Sequence, residues 1–554
     1  MNSIAAAIIG LLWFMRTLKI NLFWAYLLQL KEYRFDRLRD HIQTEKGKSL
    51  VINRLIALKL CAFGLLAVSN LASGAPEILF GLAIIGIIGA YTAETAAAFN
   101  SLRNRSLKMP VFTVNATAVT ALIILIQTLF AALLWRADLP LALFAFCLLA
   151  FDLLAPLVAI DVVTALKPLN FAFRRRLFAQ AAKRRASLKN LLVIGITGSY
   201  GKTSTKEMLS TILETKFNVI KTKEHENTEV SIAKLVIKEL NDRHEIFICE
   251  MGAYRASEIK TVCDIVKPKV GIFIGANEQH LSLFGSMENL LSGEGGGELL
   301  QSLGGGSLGI FNGENKHSAE LYQKARITKK LCSVSHRGLP ETGDVWAKDI
   351  KASTDSVSFR VCTKKNPGGE EFDLKLLGAQ NVENILLSTA AAEELGMSLK
   401  EIASAAKKIK PMPRTMSLTK GKWGTSVIDS TYSSNPDGVR AHIDYLRSWT
   451  NARKVFVMPC LIELGAASAK IHYGIGRHLG EVADTVIVTS RERFDDIKRG
   501  FYEVAKEKAQ TKKRIVYSDD IEEVLKTIKV SASEGDVIFL EGRLPEALIK
   551  ALKK

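Results

Sequence analysis

Apolar residues are spread very unevenly along this chain, and that asymmetry limits its architecture more than any other feature. Before residue 166, four apolar stretches at about residues 50–73, 77–99, 112–135 and 139–166 are long enough to cross a bilayer, which takes roughly 20 residues. The N-terminus offers a fifth. Residues 1–15 and 20–30 are apolar, with Arg16 and Lys19 between them. A signal peptide fits poorly, because its charges precede the apolar core and a small-residue cleavage site follows. One broken or tilted span, or an interfacial helix, is expected there. The remainder of the 554 residues has the mixed composition of an α/β enzyme and is long enough for more than one core.

Loop charges orient the spans. Basic loops at residues 31–48 and 101–108 alternate with short, nearly uncharged ones at 71–76 and 136–138. By the positive-inside rule the basic loops are cytoplasmic, and so is everything after residue 166. Arg174-Arg175-Arg176 and Lys183-Arg184-Arg185 belong to this pattern, suited to anionic lipid. They account for much of the formal +18 charge, so that charge does not point to nucleic acid, and no helix-turn-helix, zinc-finger or RNP pattern accompanies it. The seven cysteines include no CxxC pair; reduced thiols are expected. Asp152 and Asp161 fall in or near the last span beside Pro156. An intramembrane carboxylate is a functional candidate, although one facing neighbouring helices is the plainer reading, and the sequence names no partner.

Residues 191–197, Leu-Leu-Val-Ile-Gly-Ile-Thr, read as a buried strand. Gly198-Ser199-Tyr200-Gly201-Lys202-Thr203-Ser204-Thr205 follows, then a helical run over 206–216. Strand, glycine loop and helix form the context of a phosphate cradle. Gly198 and Gly201 allow close backbone approach, and the helix N-terminus favours an anion. Lys202 supplies an ammonium to the β/γ-phosphates, and the Thr203 hydroxyl is a magnesium ligand. Gly198, Ser199, Gly201, Lys202, Thr203 and Ser204 are thus expected to contact a nucleotide. Ile196 stands where the common GxxxxGK[ST] loop begins with glycine.

The TGxxGKT form instead resembles the Mur ligase family, and further landmarks follow in that family's order from residue 191 to the C-terminus. Ile246-Phe247-Ile248-Cys249-Glu250 is a strand ending in a carboxylate; Asn277-Glu278-Gln279-His280-Leu281 and Phe284-Gly285-Ser286 resemble HLxxFGS; Gly378-Ala379-Gln380-Asn381-Val382-Glu383-Asn384 resembles GxHNxxN. Pro411-Met412-Pro413-Arg414 resembles the PxPGR hinge, and Asp429-Ser430-Thr431-Tyr432-Ser433-Ser434-Asn435-Pro436 resembles DxxYNANP. The resemblance implies that Thr203, Glu250 and His280 hold Mg2+, and that Arg414 reaches the ATP phosphates. It places Asn381 and Asn384 at the adenine side and has Tyr432 and Asn435 line the nucleotide pocket near Asp429. Lys202, Glu250, His280 and Arg414 become the catalytic set. Fainter echoes at Glu463, His472 and Glu541-Gly542-Arg543 read equally well as ordinary sheet residues.

Three departures stand out. Where the family carries a carbamylated lysine in an AKxE segment, Ser292-Gly293-Glu294-Gly295-Gly296-Gly297-Glu298 places Gly296 at the lysine position, counted back from Glu298; Glu294 or Glu298 is expected to supply the missing charge. The TxGNxNN stretch near the acyl substrate is altered at residues 222–228. Membrane spans also stand where the family has its UDP-muramoyl-binding domain. The expected architecture is an α-helical transmembrane region (1–168), a basic juxtamembrane linker (169–189), then α/β: a P-loop-type ATP-binding domain (190–410) and a Rossmann-like C-terminal domain (411–554). The implied activity is ATP-dependent amide ligation through an acyl phosphate, adding D-Ala-D-Ala to a UDP-muramoyl-peptide on the cytoplasmic face of the inner membrane. A membrane-associated poly-γ-glutamate synthetase and a non-catalytic nucleotide-binding scaffold remain the alternatives.

Overall fold

The computed structural model describes residues 3–71, 77–104, 106–334, 343–507 and 513–553. The chain forms two compact units, Met1–Arg174 and Arg175–Lys554.

The first unit is helical: α1 (Ser3–Leu30), α2 (Phe35–Gln43), α3 (Glu45–Val51), α4 (Arg54–Leu71), α5 (Glu77–Arg103), α6 (Val114–Arg136) and the start of α7 (Leu141–Ser187). Five stretches among the described residues are long and apolar enough to cross a membrane: Ile4–Leu30, Gly47–Leu71, Ile78–Arg103, Val114–Arg136 and Leu141–Ser187. Large apolar side chains such as Leu82, Ile85 and Leu133 are exposed on them, a surface that water disfavours and lipid accepts. One expectation narrows and another changes. The N-terminal stretch is one unbroken helix despite Arg16 and Lys19, because α-helical hydrogen bonding is internal to the segment and Arg16 finds partners inside the unit. Residues 169–189 are not a separate linker: α7 runs on through Pro156 and Pro168 to Ser187. The loop expected at 71–76 and the end of the span expected at 73 involve residues 72–76, which lie outside the described residues.

Asp152, which had no partner in the sequence, has two. Lys59 Nζ lies 2.6 Å from Asp152 Oδ2 and 2.7 Å from Glu94 Oε2. Arg16 Nε lies 2.5 Å from the same Glu94 oxygen, and its NH1 is 3.8 Å from Asp152 Oδ1. Four helices, α1, α4, α5 and α7, each contribute one charge to a ring that alternates in sign and sums to zero. All four side chains are nearly buried, and Arg16 and Lys59 stand at or beside the midpoints of their apolar stretches. Isolated, any of these charges would be strongly disfavoured in an apolar interior; paired, they are tolerated. Asp161 is exposed on α7.

The second unit holds two sheets. The first orders its strands β2 (Val219–Lys221), β3 (Ile246–Glu250), β1 (Leu192–Thr197), β4 (Val270–Phe273), β5 (Leu308–Asn312), β6 (Thr328–Val334), β7 (Val345–Ala352), β8 (Val357–Thr363) and β9 (Glu370–Leu374). It is parallel as far as β7, and β8 and β9 run antiparallel. β1, β3, β4 and β5 are buried almost throughout, as strands covered on both faces must be, which explains their continuous rather than alternating apolar runs. The second sheet orders β10 (Ser417–Lys420), β11 (Ser426–Ser430), β15 (Val537–Glu541), β12 (Lys454–Met458), β13 (Thr485–Val488) and β14 (Arg514–Tyr517), with only β10 antiparallel.

Register positions the chemistry. Ile196 of β1 pairs with Glu250 of β3, and Thr197 with Phe273 of β4. The loop leaving β1 therefore emerges level with a carboxylate on one side and the loop after β4 on the other, at the carboxyl ends of parallel strands where such sheets bind ligands. Helices α8 (Lys202–Leu213), α9 (Glu229–Lys238) and α10 (Glu258–Val266) belong to this sheet's layers. The last turn of α7 is pinned to them. Arg184 donates to Leu240 O just past α9, and Arg185 donates to Val266 O at the end of α10 and to Leu188 O and Leu191 O. Guanidinium groups thus satisfy carbonyls that helix ends leave unpaired.

Candidate active site

Gly198 (φ +149°) and Gly201 (φ +70°) give the loop after β1 its shape. A Cβ on Gly198 would sit 2.8 Å from Gly275 O, and one on Gly201 2.8 Å from Asn384 Oδ1, so neither position has room for a side chain. Ser199 N donates to Gly275 O, tying the loop to the end of β4. Gly201 is the N-cap of α8, whose first residue is Lys202. The Lys202 ammonium folds back onto Gly198 O and lies 2.9 Å from Glu294 Oε1. Ser204 is half-buried in the same first turn.

Glu250 ends β3 beside this turn. Its Oε1 accepts from Thr203 Oγ1 at 3.1 Å and from Asn227 Nδ2 at 3.0 Å, and its Oε2 is 3.1 Å from Lys206 Nζ. Lys206 is completely buried. Sequence reasoning passed over it, although its i, i+4 spacing from Lys202 sets both ammoniums on one face of α8. Hydroxyl and carboxylate oxygens are hard donors that suit Mg2+. Among the described residues no three His, Cys, Asp or Glu side chains are grouped to hold a metal. That donor set fits an ion held by one or two side chains together with phosphates and water, rather than by an all-protein cage.

Glu294 organises the other half. Its side chain is 1% exposed, and its carboxylate lies between Lys202 and His280, 3.0 Å from His280 Nδ1; Ser199 Oγ lies 3.4 Å away. Burial opposes its charge, but Lys202 and then His280 more than offset this and hold its pKa down at about 2. Burial likewise works against the Lys202 ammonium, and Glu294 reverses the effect, leaving its pKa raised. The two shifts agree on an ionised pair. The sequence left Glu294 and Glu298 as equals; the structure separates them. Glu298 accepts from Ser257 N and Lys260 N at the start of α10 and so caps a helix. Gly296 is not the position that faces the site: at φ +105°, a Cβ there would run into Phe273 and Leu321 in the core. The side chain aimed at Lys202 and His280 belongs to Glu294.

His280 (φ +64°) uses its other nitrogen as well, with Nε2 3.5 Å from Glu463 Oε2. Both ring nitrogens therefore face carboxylates. Asn384 Oδ1 accepts from Thr205 Oγ1 and packs against the glycine loop, whereas Asn381 donates to Leu377 O and serves its own helix start. Asn435 caps the helix Pro436–Tyr445 and also accepts from Asn277 Nδ2, which reaches Asp437 too. Tyr432 stacks on His225 with ring centroids 4.9 Å apart; burial, then Glu250, push its pKa up to about 12. Arg414 is directed from Nε to Thr431 Oγ1, which in turn donates to the fully buried Asp429; Lys553 balances that carboxylate at 2.5 Å. Glu541 is buried against Ser434 and His442. The structure thus gathers Gly198, Ser199, Gly201, Lys202, Thr203, Glu250, His280 and Asn384 at one edge. Tyr432 and Asn435 reach that edge from the second sheet's domain, and Asn381 and Arg414 turn to local partners.

The Mur ligase middle domain matches residues 196–392, and the Mur ligase glutamate ligase domain matches residues 416–544. Over 326 residues the chain is 31% identical to the UDP-N-acetylmuramoyl-tripeptide--D-alanyl-D-alanine ligase of Mycobacterium leprae, covering 54% of this chain and 61% of that protein. It is 25% identical over 401 residues to the ligase of the same name from Bacillus subtilis, covering 71% and 80%. The chain thus spans about three-fifths of the Mycobacterium relative's length. The structure of MurF from Acinetobacter baumannii superposes with a TM-score of 0.60 at 26% identity, covering 68% of this chain and 80% of that one. MurF ligase from Thermotoga maritima, at 23% identity and a TM-score of 0.58, shares the fold. Through these two domains, which together make up more than half of it, the chain belongs to the Mur ligase family.

Proposed function

We propose that this protein is a membrane-anchored, ATP-dependent amide ligase. The supporting observation is the buried line Lys202–Glu294–His280, set beside Thr203 and Glu250 at the mouth of a glycine loop. In this reading the loop amides and Lys202 bind the β- and γ-phosphates of ATP. Thr203 and Glu250 would hold Mg2+, which neutralises phosphate charge when bound. A metal on His280 would have to displace Glu294 from Nδ1 or Glu463 from Nε2, so we assign His280 to positioning Glu294.

The acceptor carboxylate takes the γ-phosphoryl group, releasing ADP. An amine then attacks the acyl phosphate, forming the amide and releasing inorganic phosphate. Lys202 keeps its positive charge throughout because Glu294 holds it ionised, and so offsets the charge that builds on the transferring group. Glu294 provides a permanent carboxylate where the family's pattern relies on a carbamylated lysine. On this reading its charge does not depend on bicarbonate. From the names of the relatives, the acceptor proposed is a UDP-muramoyl-tripeptide and the amine D-alanyl-D-alanine. Closure of the two domains over the nucleotide, with residues 410–415 as the hinge, excludes water from the acyl phosphate. The Rossmann-like character of the second domain rests on its parallel sheet.

Five apolar stretches, with basic residues in the loops before the second and fourth and in the C-terminal part of the fifth helix, support multi-pass insertion with residues 175–554 on the cytoplasmic side. The test is ATP-dependent phosphate release by the full chain with muramoyl-tripeptide and D-Ala-D-Ala, against glutamate alone, with the product identified by mass. Release should require both the muramoyl-tripeptide and D-Ala-D-Ala and vanish in Lys202→Ala. Release driven by glutamate alone would move the assignment to a glutamate-polymerising ligase, and no release with any amine would leave a nucleotide-binding scaffold.

A further inference from the structure

The loop after β12 carries a residue to which nothing above assigns a role in the reaction. Glu463 comes from the second sheet's domain, yet its carboxylate lies 3.5 Å from His280 Nε2 in the first. Its carbonyl also accepts from Ser282 N at 3.1 Å, and a Cβ on Gly465 would come within 3.5 Å of that same Ser282 N. Two short segments, 280–282 and 463–465, thus meet through both side chain and backbone. His280 (φ +64°) and Glu463 (φ +67°) are both non-glycine residues in the left-handed region, a conformation that costs energy and persists where surrounding contacts enforce it.

The Glu463 loop is held from behind. His472 is fully buried; its Nε2 accepts from Leu461 N at 2.8 Å and its Nδ1 faces Ser468 O at 2.7 Å. Cys460 N donates to Ser490 Oγ at 2.6 Å. Glu463 is therefore presented by an anchored loop, and its side chain remains 16% exposed at the junction of the two domains.

We propose that Glu463 is a positioning residue that makes the site complete only when the two domains are together. With Glu463 on Nε2, the imidazole of His280 is fixed from both sides and holds Glu294 against Lys202. When the domains part, Nε2 loses its partner, and the line ending at the phosphate-binding lysine is free to relax. Closure and chemistry are thereby linked through one side chain. The inference deepens the ligase reading and rests on it for the turnover measurement alone.

The test uses the full chain in detergent or nanodiscs and three variants: Glu463→Gln, His280→Gln and the double substitution. Each single change should lower kcat about tenfold, the scale of one lost polar contact at the site, while ADP affinity stays within about twofold because the glycine loop is untouched. The double variant should be no worse than His280→Gln alone, since that change removes the Glu463 contact together with the one to Glu294. A second readout does not need turnover: amide hydrogen exchange of residues 280–284, measured with ADP bound, should rise in Glu463→Gln. Losses that multiply to about a hundredfold in the double variant, a Glu463→Gln protein with wild-type turnover and exchange, or one that loses ADP affinity in step with kcat would each overturn the proposal. If the wild type shows no acceptor-dependent phosphate release, the ligase reading fails, and the exchange measurement still decides whether Glu463 latches the two domains.

Discussion

The two units bury charge in opposite ways. In the first, Arg16, Lys59, Glu94 and Asp152 form a ring in which each cation faces both carboxylates and the charges balance. In the second, Lys202, Glu294, His280 and Glu463 form a line with ends. One end is an ammonium at a glycine loop that no side chain can fill, and the other is a carboxylate brought from a different domain. A closed ring balances its own charge; an open line has capacity for a ligand. The contrast separates charge that specifies a fold from charge that, on the proposed reading, performs a reaction, although both draw on lysine and carboxylates at similar burial.

Breaking the ring should have the largest effect. Lys59→Met leaves two buried carboxylates sharing Arg16, and removal of one partner from a buried ionic cluster typically costs about 3–5 kcal/mol. Equilibrium unfolding of the purified protein in detergent should register that loss. Replacing all four residues together with apolar ones of similar volume should be close to neutral or stabilising, because the desolvation cost disappears with the attraction. If Lys59→Met is as stable as the wild type, the ring is not the closed structural element described. If the fourfold variant inserts and unfolds normally but turnover collapses, the ring has a role in the reaction and the contrast fails.

Glu294→Gln tests the line in the same manner and should mark turnover more than stability. The side chain keeps its shape and loses its charge, so Lys202 and His280 lose their common counter-ion. On the proposed ligase reading, removing a pre-organised charge from this site lowers kcat by about 100- to 1,000-fold. Glu298→Gln, which only weakens a helix cap, should cost about 1 kcal/mol of stability and leave kcat nearly unchanged. Comparable turnover in Glu294→Gln and Glu298→Gln would return the two carboxylates to the equivalence the sequence suggested.

That equivalence shows where sequence reading runs out. The central strands were legible because burial on both faces writes long apolar runs, and Glu250 was legible because it ends one of them. The glycine loop was legible because a positive φ and a close approach admit no other residue at Gly198 and Gly201. Glu294 was not, because residues 293–297 are nearly all glycine and carry no periodicity to say which side chain faces the cleft. Counting back from Glu298 gave Gly296, which points into the core. Asp152 lacked a visible partner for a related reason. Its partners Lys59 and Arg16 stand on two other helices, far away in sequence, and no local spacing encodes a contact between helices. Glu463 and His472 could be read as sheet residues until the fold placed one at His280 and the other beneath its loop.

His472 supports the smallest prediction, and it bears on the open line alone. Burial lowers its pKa from the ordinary 6.5, so the folded protein favours the neutral ring. The neutral form also suits the hydrogen bonds, with Nε2 accepting from Leu461 N while Nδ1–H donates to Ser468 O. The unfolded chain therefore binds the proton more tightly than the folded one. The stabilisation is present above pH 6.5 and is lost as the pH falls through the lowered value in the folded state. Mild acidification should loosen residues 459–464 and with them the hold of Glu463 on His280, whereas the ring in the first unit contains no histidine to respond. Hydrogen exchange of the 459–464 segment should stay level above pH 6.5 and rise as the pH falls below it towards the lowered folded-state value, after correction for intrinsic rates. His472→Gln, whose amide oxygen can accept from Leu461 N without charging, should flatten that rise. An unchanged pH response in the variant would mean that the loop is held by other contacts, and that the sensitivity of the open line to acid lies elsewhere.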